Sequence, residues 1–185
     1  MNNLKDYIVT FDGAITDGLC NAIFDEYKNC DDWIKAITAS GKDNAERQCK
    51  TIGLSFDLII QKNLQVRKNL DAYLFTSVSN VIKQYNEKFG GCTIQEDSGY
   101  ELLKYEVGDF YKTHTDSFKD RPRAVSCSFM LNDDYEGGEF AFFNRELVYK
   151  LKKGSCIMFP SNFMYPHEVM PVTSGTRYSI VTWFV

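Results

Sequence analysis

The sequence predicts an α+β fold in which helical segments come first and a strand-rich sandwich or barrel follows. Two observations support this prediction. Up to about residue 88, the longest apolar patterns recur at helical spacing. After Gly99, short segments rich in β-branched and aromatic residues are separated by turn signals. Aromatic residues make up 15% of the 185-residue chain, which also favours a strand-rich core and aromatic-lined grooves.

The first elements lie near the N-terminus. Residues 7–13, YIVTFDG, alternate like a short strand. Residues 15–29, ITDGLCNAIFDEYKN, predict a helix that Thr16 or Asp17 caps. Its predicted apolar face consists of Leu19, Ile23, Phe24 and Tyr27.

A longer helix is predicted over residues 61–88, and Gly90-Gly91 ends it. The intervening residues 31–55 are polar and give no clear assignment. The apolar residues at helical spacing in the long helix are Leu70, Leu74, Val78, Val81 and Ile82.

About seven strand segments follow Gly99, which is the number and spacing of a sandwich or barrel. Glycine or aspartate pairs such as Gly108-Asp109 and Gly137-Gly138 separate them. Helices on one outer face would complete the α+β domain. The segments are 100–116, 124–133, 137–143, 146–151, 154–160, 167–172 and 176–185.

Composition narrows the range of partners. The net charge of −4, from 21 basic and 25 acidic residues, argues against a nucleic-acid partner. No apolar run is long enough to span a bilayer, and the N-terminus shows no signal-peptide pattern, so we expect a cytoplasmic protein without a membrane partner. The six scattered cysteines are expected to be reduced and mostly buried, with disulfides as the alternative in a secreted chain.

Both histidines of the chain fall into one pattern. His114 and Asp116 are two residues apart in the stretch YKTHTDSF, so an extended strand directs both side chains to one face. His167 follows 53 residues later, in YPHEVMPV. A lone histidine in a strand is more often structural, but two histidines and one carboxylate form the facial triad that suits non-haem Fe(II) and leaves open coordination positions.

A basic residue stands ten positions after the second histidine. The turn at 173–175 predicts a hairpin in which the strand of Arg177 runs back beside that of His167. Alternation places Arg177, Ser179, Val181 and Trp183 on one face. A buried guanidinium there would need an anionic partner, such as a dicarboxylate held by the metal at its other end, and Ser179 is a candidate for an additional hydrogen bond.

These motifs resemble the iron(II)- and 2-oxoglutarate-dependent dioxygenases of the prolyl 4-hydroxylase type. The resemblance covers about residues 99–185, from YEVGDFYKTHTD through GGEF and KKGSCIMFPS to PHEVMPVTSGTRYSIVTWF, and the helix ITDGLCNAIFDEY is similar to the opening helix of that family. It implies a double-stranded β-helix, or jelly roll, supported by N-terminal helices. We therefore expect a single domain over residues 1–185, with helical support in 1–98 and the catalytic core in 99–185.

The resemblance also implies roles for individual residues. His114, Asp116 and His167 would be the iron ligands, and Arg177 would pair with the far carboxylate of 2-oxoglutarate. Tyr105, nine residues before the first histidine, matches a family tyrosine that hydrogen-bonds the same carboxylate.

Three further positions bear on the match. Trp183 matches a tryptophan close to the active site in prolyl 4-hydroxylases. Phe140 stands where some members have a threonine that contacts the cosubstrate, so that contact is not expected here. Arg177 replaces the lysine of many collagen-type members and resembles the oxygen-sensing type.

The implied cofactors are Fe(II), 2-oxoglutarate as cosubstrate and O₂, with ascorbate as a candidate addition. The implied reaction hydroxylates a C–H bond and releases succinate and CO₂. A peptidyl proline is the first candidate substrate, bound as an extended or polyproline-II segment in an aromatic-lined groove. Residues 38–51 and 117–123 are candidate lids or substrate contacts.

Two alternatives remain open from the sequence. One is a 2-oxoglutarate oxygenase that acts on a non-prolyl substrate, although nucleic-acid demethylation is disfavoured by the acidic chain. The other is a non-catalytic metal-binding jelly-roll module, although a structural zinc site would usually have four protein ligands. The sequence gives no prediction of the oligomeric state.

Overall fold

The fold is described from a computed structural model for residues 3–38, 45–55, 63–90, 94, 96–120 and 122–185. A short 3₁₀-helix, Leu4–Tyr7, opens the chain. Two α-helices follow, α1 (Asp17–Tyr27) and α2 (Leu64–Lys88). The strands are β1 (Val9–Phe11), β2 (Ile34–Lys35), β3 (Arg47–Gln48), β4 (Lys50–Gly53), β5 (Glu101–Tyr105), β6 (Phe110–His114), β7 (Val125–Met130), β8 (Glu136–Gly137), β9 (Phe140–Phe142), β10 (Leu147–Tyr149), β11 (Cys156–Pro160), β12 (His167–Val169), β13 (Val172–Ser174) and β14 (Arg177–Phe184).

The strands form two main antiparallel sheets. The larger sheet has seven strands in the order β1-β11-β7-β14-β5-β4-β2, and the smaller has five in the order β10-β9-β12-β6-β3. A separate pair joins β13 to β8. The order of strands along each sheet departs from the order along the chain, as the predicted double-stranded β-helix requires, and that fold class is confirmed.

Two apolar clusters divide the interior. The first packs both helices against the outer face of the seven-stranded sheet, with Ile23 and Leu74 from the helices against Phe129 and Ile180 from the sheet. The second lies between the sheets and includes Tyr105. Successive residues of β14 therefore alternate between a helix-facing side and a side that faces the other sheet.

The predicted helices are confirmed. The Thr16 hydroxyl accepts a hydrogen bond of 3.2 Å from the Leu19 backbone N–H, so Thr16 rather than Asp17 is the N-cap of α1. In α2 the predicted apolar face is buried, while residues 61 and 62 of the predicted range lie outside the described residues. The buried residues of that predicted face are Leu70, Leu74, Val78, Val81 and Ile82.

The strand predictions after Gly99 are confirmed in type, with ten strands where about seven were expected. Three further short strands, β2, β3 and β4, occupy the polar stretch that gave no assignment. The predicted hairpin is wrong. The His167 strand, β12, pairs with β6 and β9 in the smaller sheet, whereas the Arg177 strand, β14, pairs with β5 and β7 in the larger one.

The reason is that residues 173 and 174 of the predicted turn belong to a separate strand. Residues 172–174 form β13 and pair with β8, and the chain then turns at Gly175 into the opposite sheet. Gly175 has a positive φ of 73°, and a Cβ there would lie 2.8 Å from the Asp134 carbonyl oxygen. This turn leads the chain from one sheet to the other. His167 and Arg177 therefore lie on facing sheets.

The cysteine prediction is confirmed where the structure describes those residues. Five cysteines are free thiols, and four of them are buried, while Cys92 lies outside the described residues. None of the described helices is both long and apolar enough to cross a membrane.

Candidate active site

Three potential metal ligands converge between the sheets. His114 ends β6, and His167 begins β12 directly opposite it in the antiparallel register. Asp116 follows two residues after the first histidine, and its carboxylate oxygens lie 3.3 Å from His114 Nε2 and 3.6 Å from His167 Nε2. The ligand atoms of these three residues all lie within 4.8 Å of one another, the only such cluster found among the described residues.

Backbone carbonyls fix the orientation of both imidazoles. His114 Nδ1 lies 2.8 Å from the Lys112 carbonyl oxygen, and His167 Nδ1 lies 3.1 Å from the Tyr165 carbonyl oxygen. A carbonyl only accepts, so each Nδ1 carries the proton and donates. Each Nε2 therefore keeps its lone pair and points to the Asp116 carboxylate, as a metal ligand requires.

Protonation states also suit a metal. Burial lowers the pKa of the His167 imidazole to about 4, against the opposing effect of the Asp116 charge. Burial raises the pKa of Asp116, but His167, His114 and a hydrogen bond from Ser126 outweigh it and hold that pKa well below its usual range. At neutral pH the set is thus a carboxylate with a neutral His167, the forms that bind a divalent cation.

Two serines hold the carboxylate in place. The Ser126 hydroxyl donates to Asp116 Oδ2 at 2.6 Å, and its oxygen is 2.8 Å from the Ser161 hydroxyl oxygen. The backbone N–H of Asp116 donates to the Ser161 carbonyl at 3.2 Å. Both serines are buried, so the carboxylate is positioned by groups that are themselves fixed by strand β7 and the end of β11.

A stack of side chains covers one face of the His114 ring. The Tyr111 ring stacks on it, with centroids 3.5 Å apart. The guanidinium of Arg47, a residue of strand β3, lies 4.8 Å from the Tyr111 centroid. The sequence assigned no role to Tyr111, and it singled out Arg47 only as part of the candidate lid segment 38–51. His167 pairs with His114 and Val169 pairs with Tyr111, so three steps along β6 match two steps along β12 and β6 contains a bulge. The bulge puts the rings of Tyr111 and His114 on one face, and period-two alternation in the sequence does not predict this.

Arg177 is a buried guanidinium without an anionic partner. It is 1% exposed, and its Nη1 donates to the Ser179 hydroxyl at 2.7 Å. Its Nε and Nη2 are buried without hydrogen-bond partners, and no ion pair joins it to a carboxylate among the described residues. A cation buried in this way destabilises the protein unless an anion pairs with it, so the site fits a bound carboxylate.

The surroundings of Arg177 leave room for such an anion. The guanidinium lies 5.1 Å from the Tyr105 ring centroid and 5.2 Å from that of Phe140. A Cβ on Gly138, in the GGE stretch, would lie 2.8 Å from Arg177 Cδ, so the glycine admits the arginine stem. Burial raises the pKa of the Tyr105 phenol, which keeps it protonated and able to donate to an anion.

The remaining predicted residues lie along the same cavity. Ser179 is fully buried beside Arg177, and its contact is with that guanidinium. Trp183 forms part of the wall, with the Arg123 guanidinium 3.6 Å from its ring centroid. Arg123 also donates from Nη1 to the Asp116 carbonyl oxygen at 3.1 Å, so it joins the cavity wall to a ligand residue.

The cavity between the sheets has a volume of about 910 Å³. It includes the three potential ligands at one wall and Arg177 at another, so metal and carboxylate would lie in one space. Both predicted lid segments contribute to the lining, with Thr38, Arg47 and Thr51 from the first and Phe118, Asp120 and Arg123 from the second, while residues 39–44 and 121 lie outside the described residues. A donor set of two imidazoles and one carboxylate beside an unpaired guanidinium fits Fe(II) and a keto diacid.

Comparison with known proteins agrees with this chemistry. Residues 100–185, from the residue before β5 to Val185, match the model of the 2OG-Fe(II) oxygenase superfamily. A PKHD-type hydroxylase of Colwellia psychrerythraea is 28% identical over 155 residues, which is 78% of this chain and 65% of that protein. A PKHD-type hydroxylase of a Synechococcus strain is 38% identical over 89 residues, and the matched stretch is 43% of this chain and 39% of that protein.

Solved structures show the same fold. A Trichoplax adhaerens prolyl hydroxylase, in complex with a peptide from the oxygen degradation domain of hypoxia inducible factor, has a TM-score of 0.76 at 20% identity, covering 96% of this chain and 83% of that one. A Pseudomonas putida prolyl-4-hydroxylase has a TM-score of 0.70 at 19% identity, covering 96% and 91%. The resemblance to 2-oxoglutarate dioxygenases of the prolyl 4-hydroxylase type is confirmed.

Proposed function

We propose that this chain is an Fe(II)- and 2-oxoglutarate-dependent dioxygenase that hydroxylates a C–H bond, with a peptidyl proline as its substrate. One observation carries the proposal: a two-histidine, one-carboxylate cluster shares a cavity with a buried guanidinium that has no anionic partner. A structural metal site would not need that guanidinium. The resemblance to prolyl hydroxylases supports the choice of substrate.

In the proposed site, His114 and His167 bind iron through Nε2 and Asp116 binds through its carboxylate. Ser126 and the two backbone carbonyls keep these donors aligned, so little reorganisation is needed when the metal binds. Arg177 pairs with the far carboxylate of 2-oxoglutarate, and the Tyr105 hydroxyl donates to the same group. Ser179 holds the guanidinium in position.

When bound, the Fe(II)–2-oxoglutarate pair supplies the oxidation of an unactivated C–H bond by O₂, and 2-oxoglutarate is converted to succinate and CO₂. The chain contributes position and shielding. Phe140, Phe159 and Tyr111 surround the ligand histidines with aromatic rings that exclude water. Trp183 and Arg123 form the wall along which the substrate enters.

The finer parts of the proposal concern accessory groups and location. Ascorbate would serve as a reductant for iron that has become oxidised. We propose a peptide or protein partner rather than nucleic acid, in line with the net charge of −4, and a cytoplasmic location. We also propose that residues 1–185 form a single domain, with helical support in residues 1–98 and the catalytic core in residues 99–185.

The proposal is tested by adding Fe(II) and 2-oxoglutarate to the protein without oxygen. We expect a weak visible charge-transfer band, followed in air by succinate release and by a gain of one oxygen atom in proline-containing peptides, measured by mass spectrometry. The matched control is His167→Ala, which removes one ligand and should abolish both the band and the succinate.

Three outcomes separate the alternatives. Succinate release without peptide oxidation would retain the oxygenase and reject the peptidyl proline. A folded protein that binds Fe(II) but gives neither band nor succinate would favour the non-catalytic metal-binding module. Equal activity of the His167→Ala protein would contradict the assignment of the ligands.

A further inference from the structure

The cavity contains a second arginine that the proposed chemistry does not use. Arg47 lies on β3, the edge strand of the five-stranded sheet, and lines the cavity together with Arg177. Its guanidinium lies 4.8 Å from the centroid of the Tyr111 ring, and that ring stacks on His114. A single aromatic ring therefore connects Arg47 to a proposed iron ligand.

Arg47 is poorly satisfied by the protein. Its Nε is buried and has no hydrogen-bond partner. Its Nη1 lies 3.5 Å from the Ile37 carbonyl oxygen, which is beyond the usual range of N–H···O hydrogen bonds. No carboxylate forms an ion pair with Arg47 among the residues that the structure describes. A guanidinium has five N–H donors, and the Nε–H of Arg47 is left without a protein partner.

The position of Arg47 distinguishes it from Arg177. Arg177 is 1% exposed and lies at the closed end of the cavity. Arg47 is half-buried, and Ile37, whose carbonyl oxygen lies 3.5 Å from Arg47 Nη1, is a lining residue that is 73% exposed. Arg47 therefore lies towards the open mouth, where a substrate enters.

Apart from the proposed metal ligands, the charged residues that line the cavity are mostly basic. Lys35, Arg47, Arg123 and Arg177 line it, against the carboxylates of Glu101 and Asp120. The excess is positive although the whole chain carries a net charge of −4. A positive region set in an acidic protein attracts anions selectively, because cavity walls of low dielectric focus its field.

We infer that Arg47 binds a carboxylate of the substrate, so that the preferred substrate is a peptide with a carboxylate beside the hydroxylated residue. This inference rests on the proposed function, since it assigns the substrate class for the same cavity. The volume of about 910 Å³ is at the upper end of the range for ligand pockets, so it accommodates a substrate segment besides a five-carbon diacid. The carboxylate belongs either to an acidic side chain or to a peptide C-terminus.

The experiment compares matched peptides around a single proline. One series has glutamate, or glutamine as its neutral counterpart, at the positions that flank the proline, with both peptide ends blocked. A second series lacks acidic side chains but has a free C-terminal carboxylate. Binding is measured by calorimetry on the Fe(II)- and 2-oxoglutarate-loaded protein without oxygen, so the readout does not depend on turnover.

We expect glutamate, or a free C-terminus, to improve the affinity by about 10-fold or more, as a charge-assisted hydrogen bond to arginine would. Arg47→Gln should remove that preference, because it keeps a polar side chain but loses the charge. Lys83→Gln on the surface of α2 makes the same change in net charge away from the cavity and should keep the preference.

Each other result counts against the inference. Equal binding of glutamate and glutamine peptides, or no binding of any peptide, overturns it, while the charge-transfer band still reports whether the proposed function holds. A rise in the 2-oxoglutarate requirement of Arg47→Gln with an unchanged peptide preference would assign Arg47 to the cosubstrate instead. If the glutamate preference survives in Arg47→Gln, another cation provides it and the inference is wrong.

Discussion

The helix layer and the cavity each contain an almost fully buried arginine, and the two are satisfied in opposite ways. Arg67 on α2 is 2% exposed and forms ion pairs with Glu26 at 3.0 Å and Asp32 at 2.8 Å. Arg177 on β14 is 1% exposed, donates to the Ser179 hydroxyl and forms no ion pair with a carboxylate in the described part of the chain. The first charge is neutralised within the fold, and the second is not.

This contrast separates structural from functional burial. In a buried ion pair the two charges compensate each other in every folded molecule, so the loss of one partner leaves an uncompensated charge and destabilises even the ligand-free protein. An unpaired buried charge lowers the stability of the ligand-free protein and becomes favourable only when an anion arrives. Mutation of the two arginines should therefore have opposite effects on unfolding and on ligand dependence.

The largest effect is expected for Arg177→Met. Loss of one partner of a buried charge pair costs about 3–5 kcal/mol, so the 2-oxoglutarate concentration for half-saturation should rise by about 100-fold or more. The ligand-free protein should become more stable, by about 1 kcal/mol or more, because the unpaired charge is removed. Fe(II) binding in the absence of 2-oxoglutarate should change little.

Calorimetric titration and urea unfolding of the same preparations measure these quantities. Ser179→Ala, which leaves the guanidinium in place, is the matched control and should weaken 2-oxoglutarate binding much less. A ligand-free Arg177→Met protein that is clearly less stable than the parent would show that Arg177 serves the fold, and the comparison would then fail.

Arg67→Met should have the complementary result. It leaves Glu26 and Asp32 close together, with side chains 11% and 15% exposed, and removes the guanidinium from the face of Tyr27 at 4.8 Å. We expect the free energy of unfolding to fall by about 3–5 kcal/mol, with no change in the 2-oxoglutarate requirement of the folded protein. Urea unfolding measures the first quantity and titration of the folded protein the second.

A charge-neutral triple variant sharpens this test. Combining Arg67→Met with Glu26→Gln and Asp32→Asn removes the two carboxylates that the single substitution leaves without a cation. The triple variant should regain most of the lost stability if uncompensated charge is the cause. If it is no more stable than Arg67→Met, the lost packing on Tyr27 is the main effect.

The sequence predicted the residues whose geometry follows from local alternation. His114 and Asp116 are separated by one residue, and β14 carries Arg177, Ser179 and Trp183 on the cavity side, as period-two spacing requires. It failed where long-range pairing decides the geometry. The strand of Arg177 lies in the sheet that faces His167, because a separate strand, β13, intervenes and alternation says nothing about which strands pair.

The same limit explains the missed neighbours of the metal site. Tyr111 and His114 are three residues apart, so regular alternation would put them on opposite faces, and only the bulge in β6 brings them together. Arg47 comes from a polar stretch without periodicity and reaches the site through the pairing of β3 with β6. Ser126 is one of several serines in strands, and nothing local marks it as the partner of Asp116.

The smallest of the expected effects concerns two serines on one strand. Ser126 and Ser128 are both 3% exposed on β7 and both line the cavity, but only the first has a hydrogen-bond partner. The Ser126 hydroxyl donates to Asp116 Oδ2 at 2.6 Å, whereas the Ser128 hydroxyl has no hydrogen-bond partner.

Ser126→Ala should weaken Fe(II) binding by about 10- to 100-fold, as loss of a group that orients a ligand does. Ser128→Ala should leave it unchanged and should not lower the stability, since no hydrogen bond is lost. Competition between the protein and a fluorescent chelator measures the affinities, and equal losses in the two variants would mean that the bond to Asp116 has no specific role in holding the metal.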